Sequence, residues 1–227
     1  MNACVIIPAH NEAETIAGVV QEARRHVDRV VVVDDGSTDI TAEIAQQNGA
    51  EVVRHGQNRG PGAALRSGYD VAISSGVDYV VQLDGDRQHD PRHIPDMLEA
   101  VQQCDMVIAS RFLNGSHRHY PLVRRWGISF FTFLVNRLGG ARLTDITSGY
   151  RAYRTESLRK LGHMPERHWA VEQTLRAARR GLRIREISIE MPPRNTGESQ
   201  FSLKTYAMYP FRMACVLARV MLFGVLG

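Results

Sequence analysis

The feature that most constrains the fold is a regular alternation in the first half of the chain between short apolar runs and segments with helical spacing. The apolar runs are at residues 3–9, 29–37, 50–56, 78–86 and 104–112. Strands that are apolar throughout and alternate with helices are typical of a parallel sheet with helices on both faces. The pattern therefore predicts an α/β fold with a mostly parallel sheet.

Polar clusters follow three of these runs, at the points where the predicted strands end. They read "PAHNE" from residue 8, "DDGSTD" from residue 34 and "DGDRQHD" from residue 84. In open parallel sheets, ligands bind at the carboxyl ends of the strands. We therefore expect a binding site at the edge of the sheet where these clusters meet.

Composition narrows the class of protein. The 227 residues are 44% hydrophobic, which is enough for one substantial domain. All but two of the 28 basic residues are arginine, a residue suited to gripping phosphate or carboxylate groups. The three cysteines lack CxxC spacing, which argues against zinc or a disulfide framework and favours a cytoplasmic setting. No signal peptide and no membrane-spanning segment are expected.

The second half of the chain has a different character. We expect a basic loop at residues 114–125, an apolar helix at 126–140, a polar segment at 143–154, a helix at 167–182 and a strand at 183–191. The chain is interpreted as one domain over residues 1–204, followed by an apolar helix over 205–227. Apolar helices that carry arginines and are too short to span a bilayer are typical of the headgroup plane.

Asp84 and Asp86 form the most informative pair of residues. In an extended chain, residues two apart project from the same face, and two such carboxylates repel each other unless a cation lies between them. Gln88 adds an oxygen, and Gly85 would let a ligand approach the backbone. The spacing predicts Mg²⁺ or Mn²⁺ bound by Asp84, Asp86 and Gln88. The alternative is an acidic loop before a helix, and Asp90 fits a helix cap directly before a proline.

The sequence lacks two common nucleotide-binding motifs. The chain has no GxGxxG after its first strand and no GK[ST] in its glycine-rich segment. Asp34 and Asp35 could belong to a regulatory receiver module, but a lysine on a late strand is missing. They could instead grip a nucleoside, or cap a helix together with Ser37 and Thr38. We expect both of these last roles, divided among the residues.

Seven motifs in order resemble the family-2 glycosyltransferases, and most closely the polyprenyl- (dolichyl-) phosphate mannosyl- and glucosyltransferases. They are "PAHNE", "VVDDGSTD", "NRGPGAALRSG", "DGDRQHDP", "SRF", "TDITSGYRAYR" and "RNTGESQFS". The resemblance implies a GT-A fold, a nucleotide-sugar donor and Mg²⁺ or Mn²⁺. It also implies transfer of a hexose, with mannose favoured, to a polyprenyl phosphate with inversion at the anomeric carbon.

The resemblance also assigns roles to individual residues. The donor is expected to contact Pro8, His10, Glu12, Val33, Asp35, Asp84, Gly85, Asp86, Arg111, Arg194 and Gln200. The catalytic set is expected to be Asp86, Arg111 and Asp145, with Asp145 in the sugar pocket. Three residues depart from the family pattern: Gln200 replaces a frequent Lys, His10 a frequent Tyr, and Arg87 a frequent small or apolar residue. These departures bear on which donor is used.

The expected acceptor, a lipid monophosphate, is largely ionised at neutral pH because its second pKa is about 6. It needs cationic positioning rather than a general base. The expected phosphate ligands are Arg118, Arg124, Arg125 and Arg151. Arg151 could equally be a structural partner, and Asp145 or Glu172 could be a base for a hydroxyl acceptor. The expected location is peripheral to the cytoplasmic face of a membrane, unless the apolar helices pack into the core or a dimer. No nucleic-acid partner is expected.

Overall fold

A computed structural model of the protein describes residues 1–162 and 169–191, together with positions 214, 217, 218, 220 and 221. Two predicted donor ligands, Arg194 and Gln200, lie outside the described residues. The same holds for most of the predicted helix at 205–227, so the proposed division of the chain at residue 204 stays a prediction.

Residues 1–162 and 169–191 contain seven strands and seven α-helices. The strands are β1 (Ala3–Ala9), β2 (Arg29–Asp34), β3 (Glu51–Arg54), β4 (Tyr79–Gln82), β5 (Met106–Ser110), β6 (Arg151–Arg154) and β7 (Ile184–Ser188). The helices are α1 (Ile16–Ala23), α2 (Thr41–Gln47), α3 (Pro61–Ser74), α4 (Ile94–Val101), α5 (Leu122–Gly139), α6 (Thr155–Leu161) and α7 (Trp169–Arg179). Two short 3₁₀ helices, Pro91–His93 and Ser116–His119, precede α4 and α5.

The strands form one sheet in the order β3-β2-β1-β4-β6-β5-β7. All neighbouring pairs are parallel except those made by β6, which runs antiparallel between β4 and β5. The predicted mostly parallel sheet is therefore confirmed. The sequence did not predict β6 because its "RAYR" stretch is polar, nor the short helix α6 that follows it.

Helices cover both faces of the sheet and bury a separate apolar cluster on each. One cluster joins the strands to α1, α2 and α4. The other joins them to α3, α5, α6 and α7, and also contains Leu217 and Val220. Gly68 of α3 lies so close to β1 that an added Cβ would be 2.4 Å from Ile6 Cγ2. This close packing fixes α3 against the centre of the sheet.

The predicted apolar helix at 126–140 is confirmed as α5, but it begins four residues earlier, at Leu122. Arg124 and Arg125 therefore lie in its first turns rather than in a loop. The helix has 18 residues, about five turns, and ends at Gly139; Gly140 follows as the C-cap in the left-handed conformation with φ 69°. In the described part of the chain no helix is long and apolar enough to cross a bilayer.

Candidate active site

The order of the strands brings the three polar clusters to one edge of the sheet. β1 lies between β2 and β4 and is parallel to both, with Ala9 opposite Asp34 and Ile6 opposite Gln82. Their carboxyl ends therefore meet, and the residues that follow them share one surface. The predicted convergence of the clusters is confirmed.

The cluster after β4 folds into a compact turn. The backbone N–H of Asp84 donates to Nδ1 of His89 over 3.0 Å, and Asp86 Oδ1 accepts from the backbone N–H of Gln88 over 3.0 Å. The chain turns at residues 85–86, so the expectation of an extended chain here is wrong. Arg87 has φ 64°, and its guanidinium lies beside Gly18 of α1.

Two further residues of this turn have structural roles. Asp90 caps the 3₁₀ helix that begins at Pro91, since its Oδ1 accepts from the backbone N–H of Arg92 over 2.9 Å. This confirms the predicted cap. A Cβ added to Gly85 would point to Ile16, Ile7 and Glu12 at 3.5–3.7 Å, so the missing side chain leaves room toward α1. The expected approach of a ligand to the backbone at Gly85 stays a prediction.

The residues of the turn fit a hard divalent cation in part. Asp84 has 42% of its side chain exposed, and Asp86 and Gln88 are half-buried, so oxygen ligands of the preferred kind are accessible. Within the described residues no three His, Cys, Asp or Glu side chains converge to hold an ion alone. Mg²⁺ commonly takes one or two carboxylates and completes its shell with water and substrate phosphates. The turn suits that kind of shared site.

The cluster after β2 holds neighbouring loops in place. Asp34 Oδ1 accepts from the backbone N–H of Ser37 over 3.1 Å, which closes a turn. The predicted helix cap is wrong, because α2 begins at Thr41 with Ile40 at its N-cap. The nearly buried Asp35 carboxylate contacts Nδ1 of His55 at 2.6 Å and accepts from the backbone N–H groups of Arg59 and Gly60 at 3.0 and 2.7 Å. Asp35 therefore anchors the segment before α3, and its contact with the nucleoside stays a prediction.

The remaining predicted nucleoside contacts differ in their exposure. His10 is exposed, and its Nδ1 lies 3.1 Å from the backbone oxygen of Asp35. Pro8 and Glu12 are half-buried at the same edge. Val33 has no exposed surface and packs in the apolar cluster on the α3 side. Its predicted contact with the nucleoside is therefore wrong.

On the other side of the site, Arg111 and Asp145 form a buried ion pair. Arg111 Nε donates to Asp145 Oδ2 over 2.6 Å, and Nη2 donates to Oδ1 over 2.8 Å. Burial acts to raise the pKa of Asp145, but the charge and hydrogen bonds of Arg111 lower it below its usual value. Asp145 has no exposed surface, so its prediction as a residue of the sugar pocket is corrected: it orients Arg111, which is 8% exposed.

Glu186 of β7 supports this pair, and the sequence did not single it out. Its carboxylate accepts from the backbone N–H groups of Thr144 and Asp145, each over 2.7 Å. Burial raises the pKa of Glu186. The contact spans more than 40 positions in the chain, so no local pattern could have revealed it.

A tyrosine joins Arg111 to the basic segment at the start of α5. The hydroxyl of Tyr120 accepts from Arg111 Nη1 over 3.1 Å, and the guanidinium of Arg124 lies 3.9 Å from the centre of the Tyr120 ring. Such stacking is a favourable cation–π contact. Arg118 is exposed and Arg125 half-buried on the same segment. We call Arg111, Tyr120 and Arg124 the arginine edge.

Arg151 belongs to the interior rather than to this edge. It is fully buried, and its guanidinium donates to the backbone oxygens of Ser148, Ile146 and Ala170 and to Gln173 over 2.8–3.1 Å. Its hydrogen bonds fix the segment that contains Asp145 against α7. The prediction of Arg151 as a phosphate ligand is corrected in favour of the structural alternative.

His89 connects the two sides of the site, and the sequence reasoning missed it. The ring is 5% exposed. Burial lowers its pKa to about 4; Asp86 and Asp145 act to raise it and Arg111 to lower it. The charges that act on its pKa belong both to the turn after β4 and to the Arg111–Asp145 pair. Its position in "DGDRQHD", between predicted ligands and a cap, was the available signal.

Comparison of the sequence with known proteins identifies relatives that match most of the chain. An undecaprenyl-phosphate mannosyltransferase of Micrococcus luteus is 36% identical over 89% of this chain and 88% of its own length. A polyprenol monophosphomannose synthase of Mycolicibacterium smegmatis is 33% identical over 92% of this chain and 84% of its own.

The fold also matches solved structures. A crystal structure of glucosyl-3-phosphoglycerate synthase from Mycobacterium tuberculosis, in complex with Mn²⁺, UDP and phosphoglyceric acid, aligns with a TM-score of 0.74. It is 22% identical to this chain and covers 95% of it and 77% of the synthase, which shows a shared GT-A architecture. The profile of the family "Glycosyl transferase family 2" matches residues 4–162. The chain therefore belongs to glycosyl transferase family 2 and is a glycosyltransferase.

Proposed function

We propose that the enzyme transfers a hexose, preferably mannose, from a nucleotide-sugar donor to a polyprenyl monophosphate, with inversion at the anomeric carbon. The relatives from Micrococcus and Mycolicibacterium are named for mannose transfer to lipid phosphates of this class, which supports the proposal. The donor would lie at the ends of β1, β2 and β4, and the acceptor phosphate at the arginine edge.

One observation carries the proposal: both carboxylates considered as a base are engaged in buried ion pairs. Asp145 is paired with Arg111, and Glu172 with Arg176 Nη2 over 2.7 Å. Each of these acids has at most 1% of its surface exposed. A hydroxyl acceptor needs a base to remove its proton, whereas an ionised phosphate does not. The arrangement therefore favours a phosphate acceptor.

On the donor side, Pro8, His10 and Glu12 would contact the nucleoside. The diphosphate would lie over the turn after β4, where Asp84, Asp86 and Gln88 would hold Mg²⁺ or Mn²⁺ between the protein and the phosphates. The ion would stabilise negative charge on the departing diphosphate. Crystal structures of the mycobacterial synthase contain Mn²⁺ or Mg²⁺ together with UDP, which supports the same arrangement here.

On the acceptor side, Arg111 and Arg124 would bind the lipid phosphate, with Arg118 and Arg125 adding positive charge. Arg111 is held from three directions, by Asp145, Thr147 and Tyr120, so its position is set before the acceptor binds. A preorganised cation costs little reorganisation when charge moves during the reaction.

The bonds of the reaction balance without a proton. An oxygen of the acceptor phosphate forms a bond to the anomeric carbon as the bond from that carbon to the donor diphosphate breaks. The electron pair leaves with the nucleoside diphosphate. Attack from the face opposite the leaving group inverts the configuration.

The exposed face of α5 would meet the membrane that holds the acceptor. Leu122, Trp126, Phe130 and Phe133 are spaced along one side of the helix, and Trp126 is 75% exposed. Arg124 and Arg125 lie in the same first turns, where cationic side chains are attracted to anionic lipid headgroups. We propose a peripheral position at the cytoplasmic face of a membrane.

A donor panel tests the proposed function. Radiolabelled GDP-mannose, UDP-glucose and other nucleotide sugars are incubated with the enzyme, polyprenyl phosphate and Mg²⁺ or Mn²⁺. Label should enter the organic phase from one donor, GDP-mannose by preference, and excess chelator should stop the transfer. Label only in water-soluble products would contradict the lipid-phosphate acceptor, and transfer in excess chelator would contradict the ion.

A further inference from the structure

We propose that His89 is a positioning residue that holds the Asp84 carboxylate ready for a divalent cation. The inference rests on the proposed ion and diphosphate site, and it assigns a role to a side chain that would itself contact neither. It depends on three features of the buried ring: its hydrogen bond with the backbone of Asp84, its contact with the Tyr150 ring, and its close approach to Gly149, where a side chain would press against it.

The first contact fixes the backbone of Asp84. Its N–H donates to Nδ1 of His89 over 3.0 Å, and the same nitrogen lies 3.4 Å from Asp84 Oδ2. A backbone N–H can donate only to an unprotonated nitrogen, so the ring proton is on Nε2. Nδ1 therefore holds the main chain of Asp84 without giving a proton to its carboxylate, which can keep its full charge for a cation.

The second contact fixes the ring itself. The Tyr150 ring lies against His89 with a distance of 5.2 Å between centroids and an angle of 31°. The hydroxyl of Tyr150 donates to the backbone oxygen of Asp90 over 3.1 Å. One tyrosine thus holds both the histidine and the end of the turn, so the ring cannot swing away from Asp84 without displacing Tyr150.

The third feature, the close approach of the ring to Gly149, explains why this position has no side chain. A Cβ added to Gly149 would lie 3.2 Å from His89 Cε1 and 3.3 Å from Asp84 Oδ2, closer than most real Cβ contacts. The backbone oxygen of Gly149 accepts from Gln82 Nε2 of β4 over 2.8 Å, which keeps this segment from moving back. Alanine here would therefore press on the histidine and the carboxylate together.

Groups that orient metal ligands typically change metal affinity by 10–100-fold when they are removed. His89→Leu removes the acceptor for the Asp84 N–H and should weaken Mn²⁺ binding by about this factor. His89→Asn places an amide oxygen where Nδ1 was, so it should restore affinity to within a few-fold of the wild type. Gly149→Ala should weaken binding in the same direction as His89→Leu.

The measurement is the affinity of the enzyme for Mn²⁺, followed by electron paramagnetic resonance of the free ion, with GDP or UDP present. His93→Leu is the matched control, because His93 contacts Asp96 at 3.0 Å and lies outside the turn. Thermal melting of every variant reports whether it folds. The expected result is weak binding for His89→Leu and Gly149→Ala, and near wild-type binding for His89→Asn and His93→Leu.

The possible failures are distinguishable. If the wild type does not bind Mn²⁺ with either nucleotide, the proposed ion site itself fails and the inference falls with it. If the wild type and His89→Leu bind equally, the role of His89 is overturned while the proposed function stands. Should His89→Leu not fold, wild-type affinity in Gly149→Ala, or affinity in His89→Asn reduced more than tenfold, would overturn the inference.

Discussion

The turn after β4 and the arginine edge differ in how their charged side chains are held. Asp84 is partly exposed, and the turn is held by hydrogen bonds between residues two to five positions apart. Arg111 is buried against Asp145, 34 positions away in the chain. The turn presents carboxylates to a cation from solution, whereas Arg111 of the arginine edge is already paired within the protein.

The largest expected effect is that of Asp86→Ala, which removes a carboxylate from the turn after β4. Loss of one element of transition-state charge stabilisation typically costs 10²–10³-fold in kcat, and we expect transfer to fall by about that factor while the fold survives. Asp90→Ala is the matched control in the same turn, since that carboxylate caps a helix and should cost about 1 kcal/mol of stability with little change in kcat. Equal losses of activity in both variants would contradict the division of roles.

Breaking the buried ion pair of Arg111 and Asp145 should mainly lower the free energy of unfolding. Asp145→Asn keeps the shape of the side chain but leaves the Arg111 charge uncompensated, which typically costs about 3–5 kcal/mol of unfolding free energy. The partly exposed pair of Arg183 and Asp105 gives the control: Asp105→Asn should cost under about 1 kcal/mol. Urea denaturation measures both, and similar losses would contradict the account.

The same pair predicts a dependence on pH. The pKa of Asp145 is lower in the folded protein than its usual value of 3.8, so its contribution to stability is complete above that value. That contribution is lost as the pH falls through the folded-state pKa. The difference in stability between wild type and Asp145→Asn should therefore shrink at pH values below 3.8, and a constant difference would contradict the ion pair.

The contrast between the two regions also explains what the sequence could predict. The strands other than β6, the convergence of the acidic clusters and the cap at Asp90 follow from local patterns, and all three are confirmed. The pairing of Arg111 with Asp145 and the burial of Arg151 depend on the position of strand β6. This strand could not be predicted because its sequence is polar. An arginine in a motif does not reveal whether its partner is a phosphate or a distant backbone oxygen.

A smaller effect is expected from a substitution on the acceptor side of the site. Arg124→Gln removes a cation stacked on Tyr120 and should raise the KM for polyprenyl phosphate by about tenfold, in line with about 1.4 kcal/mol for one charge-assisted contact. The KM for the nucleotide sugar should not change. Arg137→Gln, at the other end of α5, is the control and should leave both constants unchanged.

The smallest effect concerns the apolar face of α5. Replacing Trp126 and Phe130 with serine should weaken binding to vesicles of anionic lipid by about tenfold or less, since each side chain would be only partly buried in the interface. Ile40→Ser removes another exposed apolar side chain away from this face and should have no effect. Sedimentation with vesicles measures the partition, and unchanged binding of the double variant would contradict the proposed membrane contact.

The proposed function requires an acceptor phosphate that is already ionised, for which no base is needed. It is tested most directly by offering the enzyme, with its preferred donor, polyprenyl phosphate and the corresponding polyprenol in parallel and measuring label in each lipid. We expect label on the polyprenyl phosphate alone. Label on the polyprenol at a comparable rate would contradict it, because that reaction requires a base that Asp145 and Glu172, buried in their ion pairs, do not provide.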